Sequence, residues 1–336
     1  MPNSILSSRP QSQSSVMRAM MLARRQRAAM EARAGAVGGG AVLDNGDPLL
    51  AGLTVEGDFV RGDLSRGGRL YLPLGSDSPT AVRHVYGAIL DRYAALGGAA
   101  GWLGGPLSDE MSFSEEGRIS RFEHGAIHWW SDTGAIELRG LALRYTGLLC
   151  FGETDWDQGS DSDEPYVVMG LVGPQGGVAR RSGVYADVDA GESRAEAIEL
   201  YRGPATGVVL TVQLMEHDAG DPDRYTAAMK QATVAGFAAV AGALTFVPVV
   251  GPILSGVAGP LLTAAAPAVG EALSGALDTG DDEIGKTVIA LSAKQMVLLA
   301  ARTPYRAAMG VPLKLETELL SGGGASYKAC FAMDAL

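Results

Sequence analysis

Short apolar runs separated by turn residues fill most of the C-terminal half of the chain, and they limit its fold more than any other feature. About eight such runs occur between residues 141 and 215 and between residues 281 and 336. Apolar runs of this length, bounded by Gly, Asp and Pro, are typical of β-strands. Strands of this number and length predict an antiparallel β-sandwich over residues 141–336.

An uncharged segment interrupts these strands. No residue from Gln231 to Gly270 is charged, and Ala, Gly and Val dominate the segment. Small residues at a four-residue spacing suit close contact between helices, and this spacing is followed by Ala235, Ala239 and Ala243. We therefore predict an apolar helical hairpin inserted into the sandwich at about residues 224–278. Each half is near the lower length limit for crossing a bilayer, so the hairpin either enters a membrane or packs across one face of the sandwich.

The composition excludes several classes of partner and fold. The 336 residues, of which 47% are hydrophobic, suffice for two or three packed domains. The net charge of -11 argues against nucleic acid as a partner, because a phosphate backbone requires a basic surface. Two cysteines exclude a disulfide-dense scaffold and a cysteine-built zinc site.

The first 40 residues combine a basic segment with a glycine-rich one. Met, Leu and Ala alternate with five arginines from Val16 to Arg33, and residues 35–40 are mostly Gly. This pattern predicts a basic helix that lies on a membrane or docks on a partner, and a solvated tail is the alternative. Because the apolar core of a secretory signal is missing, secretion would need a route other than a standard cleaved signal peptide. A cytoplasmic location stays open.

Residues 86–141 carry an ordered series of motifs after two or three small strands expected over residues 41–85. Ile89, Tyr93 and Leu96 fall on one face of a predicted helix. The motifs that follow are GWLGGP at 101–106, GRISRFEHGAIHW at 117–129 and TGA at 133–135. With these motifs, the segment resembles one LGFP repeat, a module of surface proteins in actinobacteria that have mycolic-acid envelopes.

The resemblance implies attachment to the cell envelope. The sequence departs from the family pattern at Gly105, which stands where Leu-Gly-Phe-Pro has its aromatic residue. The family occurs as tandem copies, whereas the sequence shows one copy, and a single repeat unit buries little surface by itself. We therefore expect this unit to pack on its own neighbours or on other subunits. A homo-oligomer, or a larger assembly formed through this unit and residues 1–34, stays open.

Aromatic residues of the LGFP-like module are candidate contacts for glycan. Their flat rings could form a platform on which sugar rings lie, whereas the alternative is that they fill the core of a small module. The candidates are Trp102, Trp129, Trp130 and His128.

Two acidic regions next to apolar strands resemble the divided calcium site of a C2 domain. One precedes the run Pro165-Tyr-Val, and the other follows Met215 and resumes beyond the uncharged segment. The resemblance implies bound Ca²⁺ with carboxylate ligands from both regions, namely Asp157, Asp163, Glu216, Asp218 and Asp282. Loops at one end of a sandwich converge, so distant carboxylates can share an ion that needs about six to eight oxygen ligands. The alternative is that Asp and Gly only form turns here.

Motifs of common enzyme classes are missing from the sequence. It contains no Gly-x-Ser-x-Gly elbow, Walker A loop, His-Glu-x-x-His or Cys-x-x-Cys. Paired acids such as Asp109-Glu110 indicate solvated surface. We expect a protein that is not an enzyme, and a hydrolase of cell-wall polymers or lipids stays open.

Together, these features predict an α+β protein in three parts. They are a basic helical tail with a Gly-rich linker over 1–40, small strands with the LGFP-like module over 41–140, and the C2-like sandwich with its hairpin over 141–336. The predicted function is binding: the module attaches to cell-wall glycan, and the calcium loops and apolar hairpin bring the protein to a membrane surface. The expected partners are therefore envelope glycan or lipid and the membrane. The alternatives are a pore-forming toxin or effector, the hydrolase, and a structural subunit docked by the N-terminal segment.

Overall fold

The computed structural model of the chain is rich in β-structure, with four antiparallel sheets and few helices. The residues it describes are 13–38, 49–153, 164–174, 176–217, 222–223, 226–227, 229–231, 234, 283–301 and 315–336. The sheets agree with the expected antiparallel strands, whereas the C2-like arrangement of the sandwich stays a prediction.

The chain divides into two compact units. The first comprises residues 1–110 and 120–127, and the second comprises residues 111–119 and 128–336. The N-terminal helix and the first sheet belong to the first unit, and the two largest sheets belong to the second.

The first unit begins with a long helix and a four-stranded sheet. Helix α1 (Gln13–Gly38) is rich in Ala, Arg, Gln and Met, which favour helical backbone. The sheet has the order β1-β2-β3-β4. Its strands are β1 (Leu50–Glu56), β2 (Phe59–Leu64), β3 (Arg69–Pro73) and β4 (Arg83–Val85). A 3₁₀ turn at Pro79–Ala81 precedes β4, and helix α2 (Gly87–Ala95) follows β4 and is itself followed by a 3₁₀ turn at Gly98–Ala100. Helix α2 buries Ile89 and Tyr93 of the predicted face.

The second half of α1 packs on this sheet. The buried residues of the contact include Ala29, Met30, Ala34, Leu70 and Leu72. Because these side chains are removed from water, the hydrophobic effect holds the second half of α1 in place. The alternative of a solvated tail is therefore wrong for this part of the helix. By contrast, every side chain from Met17 to Arg25 is exposed.

A partly buried carboxylate joins the first sheet to the turn after α2. Glu56, at the end of β1, accepts the Ala99 N–H at 2.7 Å with one oxygen and pairs with Arg61 at 2.7 Å through the other. The hydrogen bond to Glu56 is the main cause that raises the pKa of Arg61. Gly98 is required beside it, because a Cβ at that position would lie 1.9 Å from the Glu56 Oε1 atom.

We expect Glu56→Ala to lower the free energy of unfolding by about 3 kcal/mol, because it leaves a buried N–H without an acceptor and Arg61 with one carboxylate fewer. Chemical denaturation monitored by circular dichroism measures this loss. The matched control is Asp58→Ala, two residues away and exposed, which should change stability by less than about 0.5 kcal/mol. Equal effects of the two variants would show that the Glu56 contacts contribute little.

A second small sheet has the same strand order as the first. Its strands are β5 (Met111–Ser112), β6 (Arg118–Phe122), β7 (Gly125–Trp130) and β8 (Gly134–Leu138), in the order β5-β6-β7-β8. A short pattern also recurs, since Glu56-Gly57 and Arg61 are matched sixty positions later by Glu116-Gly117 and Arg121. The two sheets are therefore organised alike.

Two larger sheets form most of the second unit. Their strands are β9 (Leu141–Gly152), β10 (Pro165–Gly173), β11 (Gly176–Arg181), β12 (Ser193–Gly203), β13 (Val208–Glu216), β14 (Glu283–Leu291), β15 (Leu315–Glu316), β16 (Leu320–Gly322) and β17 (Ala325–Ala335), with helix α3 (Ala293–Ala301) after β14. One sheet has the order β11-β10-β13-β14 and the other the order β12-β9-β17-β15, with β16 beside β17. Every residue of β10 is buried, as are all but the last residue of β13. Both faces of these strands are covered, which explains the unbroken apolar sequence of β10 and the mostly apolar sequence of β13, where Thr211 and Gln213 are buried as well.

Most of the predicted hairpin at residues 224–278 lies outside the described residues. The described positions between 223 and 234 are helical, and whether a hairpin forms stays a prediction. In the part of the chain that the structure describes, no helix has both the length and the apolar character needed to span a membrane.

Candidate functional site

The turn Leu103–Pro106 is the centre of the LGFP-like segment, and it is fully buried. The Tyr93 hydroxyl of α2 donates to the Gly104 carbonyl at 2.7 Å, and the Gly105 N–H donates to the Glu123 carboxylate at 2.8 Å. Gly104 has a φ of +69°, a left-handed conformation that side chains rarely adopt. The turn is therefore fixed by α2 on one side and by the segment after β6 on the other.

The space beside Gly105 is filled by a ring from a different part of the chain. A Cβ at position 105 would lie 1.9 Å from the ring of Phe59, which is only 5% exposed. Phe59 begins β2, forty-six positions before Gly105. The aromatic residue that the LGFP pattern carries at this point is thus missing from the turn, and Phe59 of the first sheet supplies a ring against it instead. This agrees with the expectation that a single repeat packs on its own neighbours.

Trp130 and His128 belong to a buried aromatic cluster. Their exposed fractions are 2% and 4%, and their rings stack at 7° with centroids 6.2 Å apart. Trp130 also lies 5.7 Å from Phe113 and donates from Nε1 to the Ser114 carbonyl at 2.8 Å. A Cβ at Gly117 would lie 2.4 Å from that nitrogen, so the residue must stay small. In this state of the protein both rings contribute to the core.

The other two predicted sugar contacts are partly exposed. Trp102 and Trp129 are half-buried, so each retains some surface that a ligand can reach. The two tryptophans fall in different units, with Trp102 in the first and Trp129 in the second. Contact of glycan with any of the four predicted residues stays a prediction.

A cation supports the aromatic cluster from α3. The Lys294 ammonium lies 5.8 Å from the centroid of the Trp130 ring and 2.8 Å from the Asp132 carboxylate. The hydrogen bond from Lys294 lowers the pKa of Asp132. A cation over an indole ring is favourable because the face of the ring is electron-rich. The helix after β14 is thereby joined to the turn between β7 and β8.

Residues 83–86 and residues 107–110 run side by side and form a surface that we call the Tyr86 strip. Arg83 donates to the Leu107 carbonyl at 2.9 Å, the His84 N–H donates to Asp109 at 2.7 Å, and the Tyr86 hydroxyl donates to Glu110 at 3.1 Å. Tyr86 is 40% exposed and Leu107 is 55% exposed. Sequence reasoning missed this strip, since only the pairing of distant segments creates it.

Asp109 is partly exposed, as expected of a surface acid, but it also makes contacts that hold the fold. Besides the His84 N–H, Asp109 accepts a hydrogen bond from the guanidinium of Arg33 on α1, in an ion pair that is about one-third exposed. Burial lowers the pKa of His84 and so does the charge of Arg33, whereas Asp109 raises it. The net direction is downward, so His84 is neutral in the folded protein at neutral pH.

The free energy of unfolding should decrease as the pH is lowered, because of His84. A histidine whose pKa is lowered by folding binds its proton more readily in the unfolded chain. The stability is therefore fully present above the ordinary pKa of 6.5 and is lost as pH falls below it. Thermal melts from pH 8 to pH 5 measure this slope.

The His84→Gln variant should melt with a shallower dependence on pH than the wild type. His124→Gln is the matched control, because it removes an imidazole from an exposed position. A wild-type slope in the His84→Gln variant would assign the dependence to other groups.

The predicted calcium ligands fall mostly outside the described residues. This holds for Asp157, Asp163, Asp218 and Asp282, whereas Glu216 is described and half-buried at the end of β13. In the register of the sheet, Pro165 lies opposite Glu216, and Met215 lies opposite Glu283. The strand ends next to the three acidic segments are therefore neighbours at one edge. Among the described residues, no group of three or more His, Cys, Asp or Glu side chains is arranged to hold a metal ion.

Comparison with protein families assigns part of this region. Residues 103–146 match the model of the family described as LGFP repeat. Comparison with curated proteins found no match. The match confirms an LGFP repeat but begins at residue 103, so residues 86–102 of the predicted module, including α2, lie outside it; no family match supports the C2 resemblance. The chain thus contains an LGFP repeat, which points to a protein of the cell wall or cell envelope.

Proposed function

We propose that this chain is a non-enzymatic binding protein of the cell envelope and that the part containing its LGFP repeat attaches to cell-wall glycan. The observation that carries the proposal is the repeat itself at residues 103–146. Within the first unit, Gly105 of the repeat packs against Phe59 of β2, a contact that needs no tandem partner.

A binding role is favoured over a catalytic one because the carboxylates Glu123 and Asp109 near the repeat already accept hydrogen bonds from the protein itself. Glu123 accepts a backbone N–H of the LGFP turn, and Asp109 holds the His84 N–H and Arg33. Carboxylates that accept such bonds stabilise the local fold. The role of these carboxylates is structural, whereas exposed side chains such as Tyr86 and Leu107 are suited to contact with a ligand.

The test is co-sedimentation of the purified chain with cell walls isolated from an actinobacterium that has a mycolic-acid envelope. We expect saturable binding to intact walls and little binding to walls from which the polysaccharide has been removed. An unrelated acidic protein of similar net charge is the control for trapping. If the chain stays in the supernatant with both preparations, attachment to glycan is wrong. Release of soluble sugar or lipid during the incubation would favour the hydrolase.

A second proposal concerns calcium at the edge formed by β10, β13 and β14. It is supported by the register that makes Pro165, Glu216 and Glu283 neighbours at that edge, where each adjoins an acidic segment of the sequence. Oxygen ligands of this kind suit Ca²⁺, which would screen the acidic loops and let the protein approach a lipid surface. The residues that would hold the ion are Asp157, Asp163, Glu216, Asp218 and Asp282.

Calorimetric titration with calcium tests this second proposal. We expect binding by the wild type and none by Asp163→Asn/Asp282→Asn, because each substitution removes a carboxylate charge from the ligand set. Equal heats from the two proteins would remove calcium from the account. Calcium-dependent sedimentation with lipid vesicles would then separate membrane association from ion binding alone, and leakage of trapped dye would favour the pore-forming alternative.

A further inference from the structure

We propose that the Tyr86 strip binds a saccharide, with the sugar ring lying against the ring of Tyr86. The inference deepens the proposed attachment to glycan and rests on it. It names a contact surface at residues 83–86 and 107–110, distinct from the tryptophan and histidine residues that the sequence suggested.

Tyr86 is held as a rigid, exposed platform. Its ring stacks on the ring of His84 at 27° with centroids 4.7 Å apart, and its hydroxyl is fixed by the hydrogen bond to Glu110. The backbone of His84 is itself held by the hydrogen bond from its main-chain N–H to Asp109, which pairs with Arg33 of α1. A ring restrained from below and at its tip loses little conformational freedom when a ligand binds, and such preorganisation increases affinity.

Polar and apolar groups alternate along the strip around this ring. Arg83 uses Nε and Nη1 on the carbonyls of Leu107 and Thr80, which fixes the guanidinium plane while a third nitrogen remains for other hydrogen bonds. Glu110 offers a carboxylate beside the Tyr86 hydroxyl, and the Leu107 side chain is 55% exposed. The strip thus presents an apolar face with hydrogen-bonding groups at its rim.

This chemistry fits a saccharide better than other ligands. A sugar ring has one face of C–H groups and a rim of hydroxyls, so it can stack on an aromatic ring and bond to Arg and Glu together. A lipid chain would need a deeper apolar groove, and the net charge of -11 disfavours a polyanion. The strip also keeps its aromatic ring at the surface, whereas Trp130 and His128 are buried.

The experiment measures binding of the full-length chain to isolated walls and to the neutral polysaccharide released from them. We expect Tyr86→Ala to raise both dissociation constants about tenfold, as removal of an aromatic anchor commonly does. Tyr86→Phe keeps the ring and should lose no more than about threefold, because only the hydroxyl is removed. The matched control is Phe151→Ala, which removes an aromatic side chain that is 56% exposed in the second unit, and it should bind like the wild type.

Two further variants leave Tyr86 packed on His84 and protect the test against misfolding of Tyr86→Ala. Glu110→Gln and Leu107→Ala should each weaken binding about threefold, and melting temperatures close to that of the wild type show that the fold is intact. If the wild type binds walls while Tyr86→Ala, Glu110→Gln and Leu107→Ala bind equally well, the strip is not the contact and the attachment to glycan still holds. If the wild type itself does not bind, the proposed function fails together with the inference.

Discussion

The Gly105→Phe variant should fail to fold stably, and the same substitution should be tolerated when Phe59 is removed in the double variant Phe59→Gly/Gly105→Phe. In the wild type, a Cβ at position 105 would already lie 1.9 Å from the Phe59 ring, so a whole benzyl group has no space. Overpacking of a buried site costs about 1–3 kcal/mol and sometimes more. Here the ring added to the fixed turn would clash with the Phe59 ring of β2, and we expect the free energy of unfolding to decrease by more than that range.

The double variant moves the ring from β2 to the LGFP turn and restores the family pattern Leu-Gly-Phe-Pro. We expect it to recover most of the stability that Gly105→Phe loses, since the volume is conserved. Phe59→Gly alone should cost at least about 3–5 kcal/mol, the range for truncating a buried Phe, through the cavity it leaves. Urea denaturation of the three variants and the wild type gives the coupling free energy. If the two substitutions have additive effects, Phe59 and position 105 do not share the same space.

Trp130→Ala should destabilise the protein by about 3–5 kcal/mol, whereas Trp129→Ala should cost about 1 kcal/mol or less. Trp130 is almost fully buried, stacks on His128, donates to Ser114 and lies beneath Lys294. Its neighbour Trp129 is half-buried. Thermal unfolding followed by circular dichroism measures both changes.

This pair of tryptophans also tests the glycan contact suggested by the sequence. Binding to walls by Trp129→Ala, which should remain folded, reports on contact directly, because its fold is not in question. Loss of binding by Trp130→Ala would instead follow from unfolding. If Trp130→Ala melts at the wild-type temperature, the core role assigned to this ring is wrong.

The sequence predicted those features of the fold that depend on local pattern. The apolar runs of β10 and β13 are strands, and Ile89 and Tyr93 are the buried face of α2, as the spacing indicates. These predictions succeed because burial on one or both faces of an element imposes a period that neighbouring residues reveal. The LGFP motifs were also recognisable, since they lie within a short stretch of chain.

Contacts between distant segments could not be predicted in the same way. Phe59 and Gly105 are far apart in the sequence, and the missing aromatic residue at position 105 gave no sign that β2 would fill the space. Asp109 looked like a solvated acid, yet it pairs with Arg33, seventy-six positions earlier. Such contacts are determined by how elements pack in three dimensions, and the period of a single helix or strand does not encode them. The Tyr86 strip depends on one of them.

The most direct measurement of the central claim is a competition isotherm. The fluorescently labelled full-length chain is bound to actinobacterial walls, and increasing amounts of the soluble wall polysaccharide are added. If this chain holds to envelope glycan, the polysaccharide displaces it completely along a single-site curve. Bound protein that stays on the walls at saturating polysaccharide would contradict the account.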